Sequence, residues 1–178
     1  MGSSETSKLR AVLFDRDGTL VVDVPYNGDP GKVRPMAGAK AVLDRLRADG
    51  IATGVISNQS GIARGLITAE DVAKVNARVE ELLGPFDVWE VCPHSEQDGC
   101  DCRKPAPGMV HSACRKLGIP ESEAALIGDI GADVGAAEAA GATGVLVPTP
   151  VTRTEEVAAA QLVAADLASA VGLLQGTA

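Results

Sequence analysis

Short apolar and β-branched runs alternate along this chain with longer amphipathic stretches. The apolar runs predict buried strands at 10–14, 51–56, 88–91, 124–127 and 144–147. Helical spacing predicts helices over 39–49, 68–83, 107–117 and 133–140, and more helix in an Ala-rich tail after residue 150, best near 166–174. Because parallel strands need a crossover between them, this order predicts an α/β fold: a mostly parallel, Rossmann-like sheet with helices on both faces.

The length of the chain predicts one folded domain. With 178 residues, a single domain over 9–178 can bury a sizeable core, and the polar segment 1–8 is expected to be a disordered tail. The stretches between predicted elements are too short to hold a separate cap domain. Loops between the elements must therefore line any binding site.

The charge of the chain excludes several classes of partner. The net charge is −8, which argues against binding to nucleic acid or to an anionic membrane, since both require a basic face. No apolar run has the length of a bilayer span, and the N-terminus lacks the apolar core of a signal peptide. We therefore expect a cytoplasmic monomer that binds a small molecule.

Carboxylates follow two of the predicted strands. Asp15 and Asp17 come directly after the first strand, whereas Asp129 ends the fourth and Asp133 lies one turn further on. Ligands of open α/β sheets gather at the carboxyl ends of strands, where these side chains can converge. Clustered carboxylates raise each other's pKa unless a cation neutralises them, and their hard oxygens suit Mg²⁺. The pattern predicts a magnesium site.

Two further residues extend this pattern toward phosphate chemistry. Ser57 follows the second strand, and Lys104 comes from the loop after the third. A carboxylate can attack phosphorus, a second carboxyl group can act as acid and base, and a lysine and a hydroxyl can hold the phosphoryl oxygens. Each residue alone fits a turn, a helix cap or a solvated surface, so the prediction depends on their order at successive strand ends.

Taken in order, these residues match a known signature. The set comprises Asp15-x-Asp17-Gly18-Thr19, Ser57, Lys104 and Gly128-Asp129-x-x-x-Asp133. It resembles the four motifs of haloacid dehalogenase-superfamily phosphatases, over about residues 10 to 147. The resemblance implies that Asp15 is the nucleophile and Asp17 the general acid and base. It also implies Mg²⁺ ligation by the side chains of Asp15 and Asp129 and the backbone carbonyl of Asp17, with Asp133 supporting the metal.

A cysteine-rich loop follows the third strand. Three thiols and one imidazole within eleven residues fit a closed, structural zinc site, formed by Cys92, His94, Cys100 and Cys102. Disulfides are the poorer interpretation in a reducing compartment. The loop has little apolar surface to bury, so a metal would stabilise it. This zinc-stapled loop would hold Arg103 and Lys104 toward the phosphate.

The zinc loop narrows the resemblance to one branch of the superfamily, which contains heptose 1,7-bisphosphate phosphatases and histidinol phosphatases. The stretches that resemble the heptose enzymes are Asp23-Val24-Pro25-Tyr26 and Ser57-Asn58-Gln59-Ser60-Gly61-Ile62-Ala63-Arg64-Gly65. Two features depart from some heptose enzymes: the spacer between His94 and Cys100 is short, as in histidinol enzymes, and Ile130 replaces a polar contact.

The resemblance implies a Mg²⁺-dependent phosphomonoesterase that forms a phospho-aspartate. Its first expected substrate is D-glycero-D-manno-heptose 1,7-bisphosphate, which would lose the 7-phosphate. The alternatives are a histidinol-phosphate phosphatase and a non-catalytic, zinc-stapled binding module. The expected substrate-binding residues are Asp23, Tyr26, Asn58, Gln59, Ser60, Arg64 and Arg103. Arg64 has an equally acceptable interpretation as a solvated or ion-paired arginine, and Tyr26 as a residue that packs its own loop.

Overall fold

The predicted strands and helices are all present in the computed structural model, which describes residues 8–177. The strands are Ala11–Phe14 (β1), Ala52–Asn58 (β2), Val88–Cys92 (β3), Ala124–Gly128 (β4) and Thr143–Leu146 (β5). The α-helices are Ala39–Ala48 (α1), Ala69–Leu83 (α2), Gly108–Leu117 (α3), Gly131–Ala140 (α4), Thr154–Ala159 (α5) and Leu167–Gln175 (α6).

The strands form one parallel sheet in the order β3-β2-β1-β4-β5. The chain first builds outward from β1 through β2 to β3, then returns to the other side of β1 to add β4 and β5. This reversal leaves a crevice outside the carboxyl ends of β1 and β4, where α/β folds bind their ligands.

Helices cover both faces of the sheet, as predicted. Alternate residues of β1 point to opposite faces. Val12 and Phe14 pack in a core with α1, α2 and α6, whereas Ala11 and Leu13 pack with α3 and α4. All four side chains are fully buried, so β1 lies at the centre of the molecule and core side chains enclose the strand up to its carboxyl end.

Two element boundaries differ from the prediction near the site. β2 extends to Asn58 because Ser57 and Asn58 still pair with Val91 and Cys92 on β3. α4 begins at Gly131, two residues early, because the Asp133 carboxylate accepts a hydrogen bond from the Ile130 N–H at 3.2 Å. That bond satisfies one of the unpaired donors at the start of the helix.

The tail after residue 150 contains the predicted helix in α5 and α6, but one segment between them is extended. Residues 162–164 run beside β5 instead, where the Leu146 N–H donates to the Leu162 carbonyl and the Ala164 N–H donates to the Leu146 carbonyl, both at 2.9 Å. The Ala-rich composition favours helix, but the edge of β5 offers unpaired backbone groups that this segment covers.

No inserted cap domain occurs in residues 8–177. The long connection from β1 to α1 contains a 3₁₀ turn at Pro30–Lys32 and an antiparallel bridge between Val21 and Pro35. The predicted N-terminal tail, apart from Lys8, lies outside the described residues. In the described part of the chain, no helix has both the length and the apolar character that a membrane span requires.

Candidate active site

Three carboxylates meet in the crevice between β1 and β4. Asp15 follows β1, Asp129 follows β4, and Asp133 lies in the first turn of α4. One carboxylate oxygen from each residue lies within 4.8 Å of the other two, and all three side chains are buried. The structure therefore brings together the carboxylates that were predicted from the strand ends.

A buried lysine bridges two of these carboxylates. Lys104 Nζ donates to Asp15 Oδ1 at 2.9 Å, to Asp133 Oδ1 at 2.7 Å and to the Ile56 carbonyl at 2.9 Å. Burial opposes its charge, but the carboxylates of Asp133 and Asp15 outweigh this and hold the pKa of the ammonium above its usual value. Lys104 is therefore charged at neutral pH.

The cluster carries more negative charge than Lys104 can neutralise. Burial, followed by the charge of Asp133, raises the pKa of Asp15 well above its ordinary value, and Lys104 offsets only part of the rise. Burial also raises the pKa of Asp129 to about 6. Three carboxylates and one ammonium leave two negative charges when all are ionised, which matches a divalent cation. The all-oxygen donor set fits Mg²⁺.

Two glycines allow the backbone to approach these carboxylates. Gly18 has a φ of +82°, and a Cβ atom there would collide with the Asp129 carboxylate, with its Cγ only 2.8 Å away. A Cβ at Gly128 would collide with the Asp133 carboxylate in the same way. Any larger residue would force the carboxylates apart, which explains the glycines in both motifs.

Asp17 is held by a network that the sequence did not reveal. Its carboxylate accepts from Arg16 Nε and Nη2, both at 3.1 Å, and from Gln59 Nε2 at 2.9 Å. Arg16 is buried and also donates from Nη1 to Asn76 Oδ1 on α2 at 2.7 Å. Gln59 Nε2 also donates to Ser57 Oγ at 2.8 Å, so this hydroxyl keeps its own proton available for donation.

Asn58, at the end of β2, binds the loop that carries Lys104. Its Nδ2 donates to the Lys104 carbonyl at 3.1 Å, and its Oδ1 accepts from the Lys104 N–H at 3.1 Å. Both polar atoms of the amide thus bind the backbone of Lys104. The structure places Asn58 beside the cavity but engages its side chain in positioning the lysine.

The cluster opens into a cavity of about 340 Å³. Its walls contain most of the predicted substrate-binding residues: Asp23, Tyr26, Asn58, Gln59 and Ser60. Tyr26 is the one residue other than glycine with a positive φ, +51°, among residues 8–177. Its hydroxyl accepts from Arg64 Nη1 at 3.1 Å, and the Arg64 guanidinium carbon lies 6.0 Å from the ring centroid. Arg64 is therefore a partner of Tyr26.

A second cavity, of about 720 Å³, adjoins the first and shares Asn58, Lys104 and Ile130 with it. Arg103 lines this second cavity. Its guanidinium lies 3.5 Å from the His94 carbonyl and 3.4 Å from Glu96 Oε1, both in the cysteine loop. Arg103 thus lies outside the cavity that Asp15 occupies, in a neighbouring cavity that shares Lys104 with it.

The cysteine loop gathers four ligand atoms. Cys102 Sγ lies 3.0 Å from Cys92 Sγ and 3.5 Å from Cys100 Sγ, and His94 Nδ1 lies 3.2 Å from Cys102 Sγ. These separations are too long for disulfides. They approach the edges of a tetrahedron, since Zn–S bonds of about 2.3 Å place sulfurs roughly 3.8 Å apart. The cluster is compatible with a zinc-binding loop.

Comparisons with known proteins identify the family of this chain. A HAD-hydrolase-like family model matches residues 101–170. A Pseudomonas aeruginosa protein named D-glycero-beta-D-manno-heptose-1,7-bisphosphate 7-phosphatase is 35% identical over 143 residues, which cover 78% of this chain and 80% of that protein. The chain belongs to the haloacid dehalogenase family of phosphatases.

Two further relatives support this family membership. A Yersinia pestis protein of the same name is 36% identical over 86% of this chain and 89% of its own length. The crystal structure of D,D-heptose 1,7-bisphosphate phosphatase from B. bronchiseptica, complexed with magnesium and phosphate, has a TM-score of 0.83 at 28% identity. It covers 96% of this chain and 100% of its own, so the predicted family resemblance is confirmed.

The hydrogen-bond network around Asp17 in this haloacid dehalogenase phosphatase was not predicted from the sequence. Arg16 and Asn76 were not singled out, although a charged residue between two aspartates at the end of a buried strand is itself a signal. The partner of Arg16 is sixty residues away on α2, and no local pattern connects the two.

Proposed function

We propose that this phosphatase removes the 7-phosphate from D-glycero-D-manno-heptose 1,7-bisphosphate through a phospho-aspartate at Asp15. The observation that carries the reaction type is the buried Lys104 between Asp15 and Asp133, beside Asp129, at the base of an accessible cavity. The relatives at 35% and 36% identity, which carry the name of this activity, support the substrate.

The chemistry follows from the roles of four side chains. The Asp15 carboxylate attacks phosphorus, and the bond from phosphorus to the C7 oxygen breaks, while Asp17 gives that oxygen a proton. Asp17 then takes a proton from water, which attacks the phosphoryl group and releases Asp15. The Lys104 ammonium and the Ser57 hydroxyl stabilise the charge that develops on the phosphoryl oxygens.

A magnesium ion fits the excess negative charge of the cluster. The carboxylates of Asp15 and Asp129 and the backbone carbonyl of Asp17 would hold it, and Asp133 would support this arrangement. When bound, it would neutralise the carboxylates and the phosphate oxygens. Its presence would also let Asp129 ionise fully despite burial, which raises its pKa in the metal-free protein.

The cysteine loop is proposed to bind structural zinc. Cys92, His94, Cys100 and Cys102 offer four ligands and leave no open coordination position. The metal would fix a loop that otherwise has few buried residues. Arg103 and Lys104 follow the last ligand directly, so a fixed loop would hold both residues beside the substrate.

The two adjoining cavities suit a substrate with two phosphates. One phosphate would lie at Asp15, with Asp23, Tyr26, Gln59 and Ser60 around the sugar. Tyr26 lines this cavity, and Arg64 would act on the sugar through its hydrogen bond to the Tyr26 hydroxyl. The distal phosphate would lie in the second cavity, where Arg103 supplies positive charge and Arg153 also lines the wall. Arg103 is the donor that we expect to distinguish a bisphosphate from a monophosphate.

One observation favours histidinol phosphate as the second candidate. Ile130, an apolar residue that is 36% exposed, lines both cavities and offers no hydrogen bond to a sugar hydroxyl. An apolar edge of this kind fits a less hydroxylated substrate.

The test is phosphate release measured side by side with the heptose bisphosphate and histidinol phosphate, each with Mg²⁺ and with EDTA. We expect preference for the bisphosphate and dependence on Mg²⁺, and a preference for histidinol phosphate would reassign the substrate. Asp15→Asn should abolish turnover and the covalent phosphoryl group seen by mass spectrometry after acid quench. Retained turnover in this variant would exclude the phospho-aspartate mechanism.

A further inference from the structure

Arg16 is a buried charge that the reaction as described does not use. Its side chain is 1% exposed, and it is the largest fully buried side chain in the described chain. Burying a guanidinium is costly unless it is paired and its N–H groups are satisfied. The protein nevertheless has this arginine between Asp15 and Asp17 in the sequence, with its guanidinium bonded to the Asp17 carboxylate.

The hydrogen bonds of Arg16 define one orientation of Asp17. Nε donates to Asp17 Oδ1 and Nη2 donates to Oδ2, so the planar fork matches both carboxylate oxygens. The remaining nitrogen, Nη1, donates to Asn76 Oδ1 at 2.7 Å, which stops the guanidinium from turning. Gln59 adds a bond to Oδ2 from the opposite loop. The conformation of Asp17 is thus set by α2 and by the turn after β2.

We propose that Arg16 is a positioning residue, which fixes the Asp17 carboxylate for proton transfer to the leaving oxygen. The proposal rests on the proposed function, in which Asp17 is the general acid. The Arg16 side chain is 1% exposed and has almost no surface to offer a substrate, whereas the Asp17 side chain is 26% exposed. Arg16 therefore acts on the reaction through Asp17.

A lysine cannot replace this fork, because an ammonium is a point charge without two parallel N–H groups. Arg16→Lys keeps the charge and removes the fixed orientation. A structural ion pair would tolerate this change or lose stability without any preference among substrates. A positioning role predicts that the loss of kcat/KM depends on how much the leaving group needs a proton.

The experiment compares kcat/KM for two leaving groups. The leaving group of an alkyl phosphate, such as the heptose bisphosphate, is an alkoxide that needs protonation. The leaving group of 4-nitrophenyl phosphate is 4-nitrophenolate, which is stable as an anion. Because kcat/KM covers only steps up to release of the first product, later hydrolysis of the phosphoenzyme does not affect it. General acid catalysis is worth about 10²–10⁴-fold. We expect Arg16→Lys to lower the alkyl value at least about tenfold and the aryl value by less than about threefold.

A second variant tests the same proposal if Arg16→Lys does not fold. Asn76→Ala leaves the pair with Asp17 intact but frees the guanidinium to turn, so we expect a smaller loss with the same preference for the aryl ester. Arg78→Lys, on the exposed side of α2, is the matched control and should change neither value. Thermal unfolding of each variant shows whether the protein is folded at the assay temperature.

The outcomes separate this proposal from the proposed function. Equal losses on both esters, or no loss on either, in folded Arg16→Lys and Asn76→Ala would overturn the positioning role. A wild-type protein that hydrolyses no phosphate ester would instead remove the proposed function. If the wild type prefers another alkyl phosphate, the same ratio is measured with that substrate.

Discussion

Replacing Asp129 with asparagine should stabilise the metal-free protein at neutral and higher pH. Burial raises the pKa of Asp129 from 3.8 to about 6, so ionisation of this carboxyl lowers the stability of the folded protein. A change of this size corresponds to about 3 kcal/mol. Asparagine keeps the size of the side chain and never ionises, and Lys104 retains Asp15 and Asp133 as partners.

The sign follows from proton binding. Between pH 3.8 and about 6 the folded protein holds the Asp129 proton after the unfolded chain has lost it, so this group lowers stability as pH rises through that window. Above about pH 6 the full cost is present. Asp129→Asn should therefore gain about 3 kcal/mol at about pH 8 and only about 1 kcal/mol at about pH 4.5.

Urea unfolding in EDTA at both pH values measures this difference. Asp44→Asn is the matched control, because a hydrogen bond from Lys40 lowers the pKa of that exposed carboxyl and no gain is expected. Added Mg²⁺ should then stabilise the wild type and leave Asp129→Asn unchanged. A variant that is no more stable than the wild type at about pH 8 without metal would refute the reasoning.

Three further predictions follow from the same site. Lys104→Met should lower kcat by at least about 10²- to 10³-fold, since it removes the ammonium that stabilises the transferring phosphoryl group, and steady-state phosphate release measures the loss. Cys102→Ser should lower bound zinc, measured by elemental analysis, and lower the melting temperature, whereas Cys114→Ser should keep the zinc because Cys114 lies on α3, outside the cluster. Arg103→Ala should raise KM for the bisphosphate by about 10- to 100-fold through loss of a charged hydrogen bond and leave KM for a monophosphate unchanged.

Local patterns in the sequence were sufficient to predict the order of strands and helices. Strand and helix periodicities are properties of neighbouring residues, and a parallel sheet follows from their alternation. The carboxylate cluster was predictable for a related reason, since Asp15 and Asp129 sit at strand ends that such a sheet must bring together. Lys104 was a candidate from its place after the third strand, but local patterns could not predict where its side chain points, because its loop has no regular structure.

The remaining features depend on contacts between distant segments. Residues 162–164 pair with β5 because of a sheet edge that no helical propensity encodes. Ser57 and Asn58 belong to β2 because β3 offers partners to them. The network of Arg16 with Asn76 exists only after α2 has packed against the first loop. In each case the deciding group lies far away in the sequence.

The amide of Asn58 has a consequence for how this site can change over time. It binds both backbone groups of Lys104, and the Ile56 carbonyl accepts from the ammonium, so β2 contacts the lysine at both ends, in addition to the bonds from the ammonium to Asp15 and Asp133. The spacer between His94 and Cys100 lies upstream of this anchor. Insertions or deletions there would reshape the wall of the second cavity without displacing the ammonium. Because Asn58 holds the backbone of Lys104, changes in that spacer could alter substrate preference while Lys104 keeps its place beside Asp15.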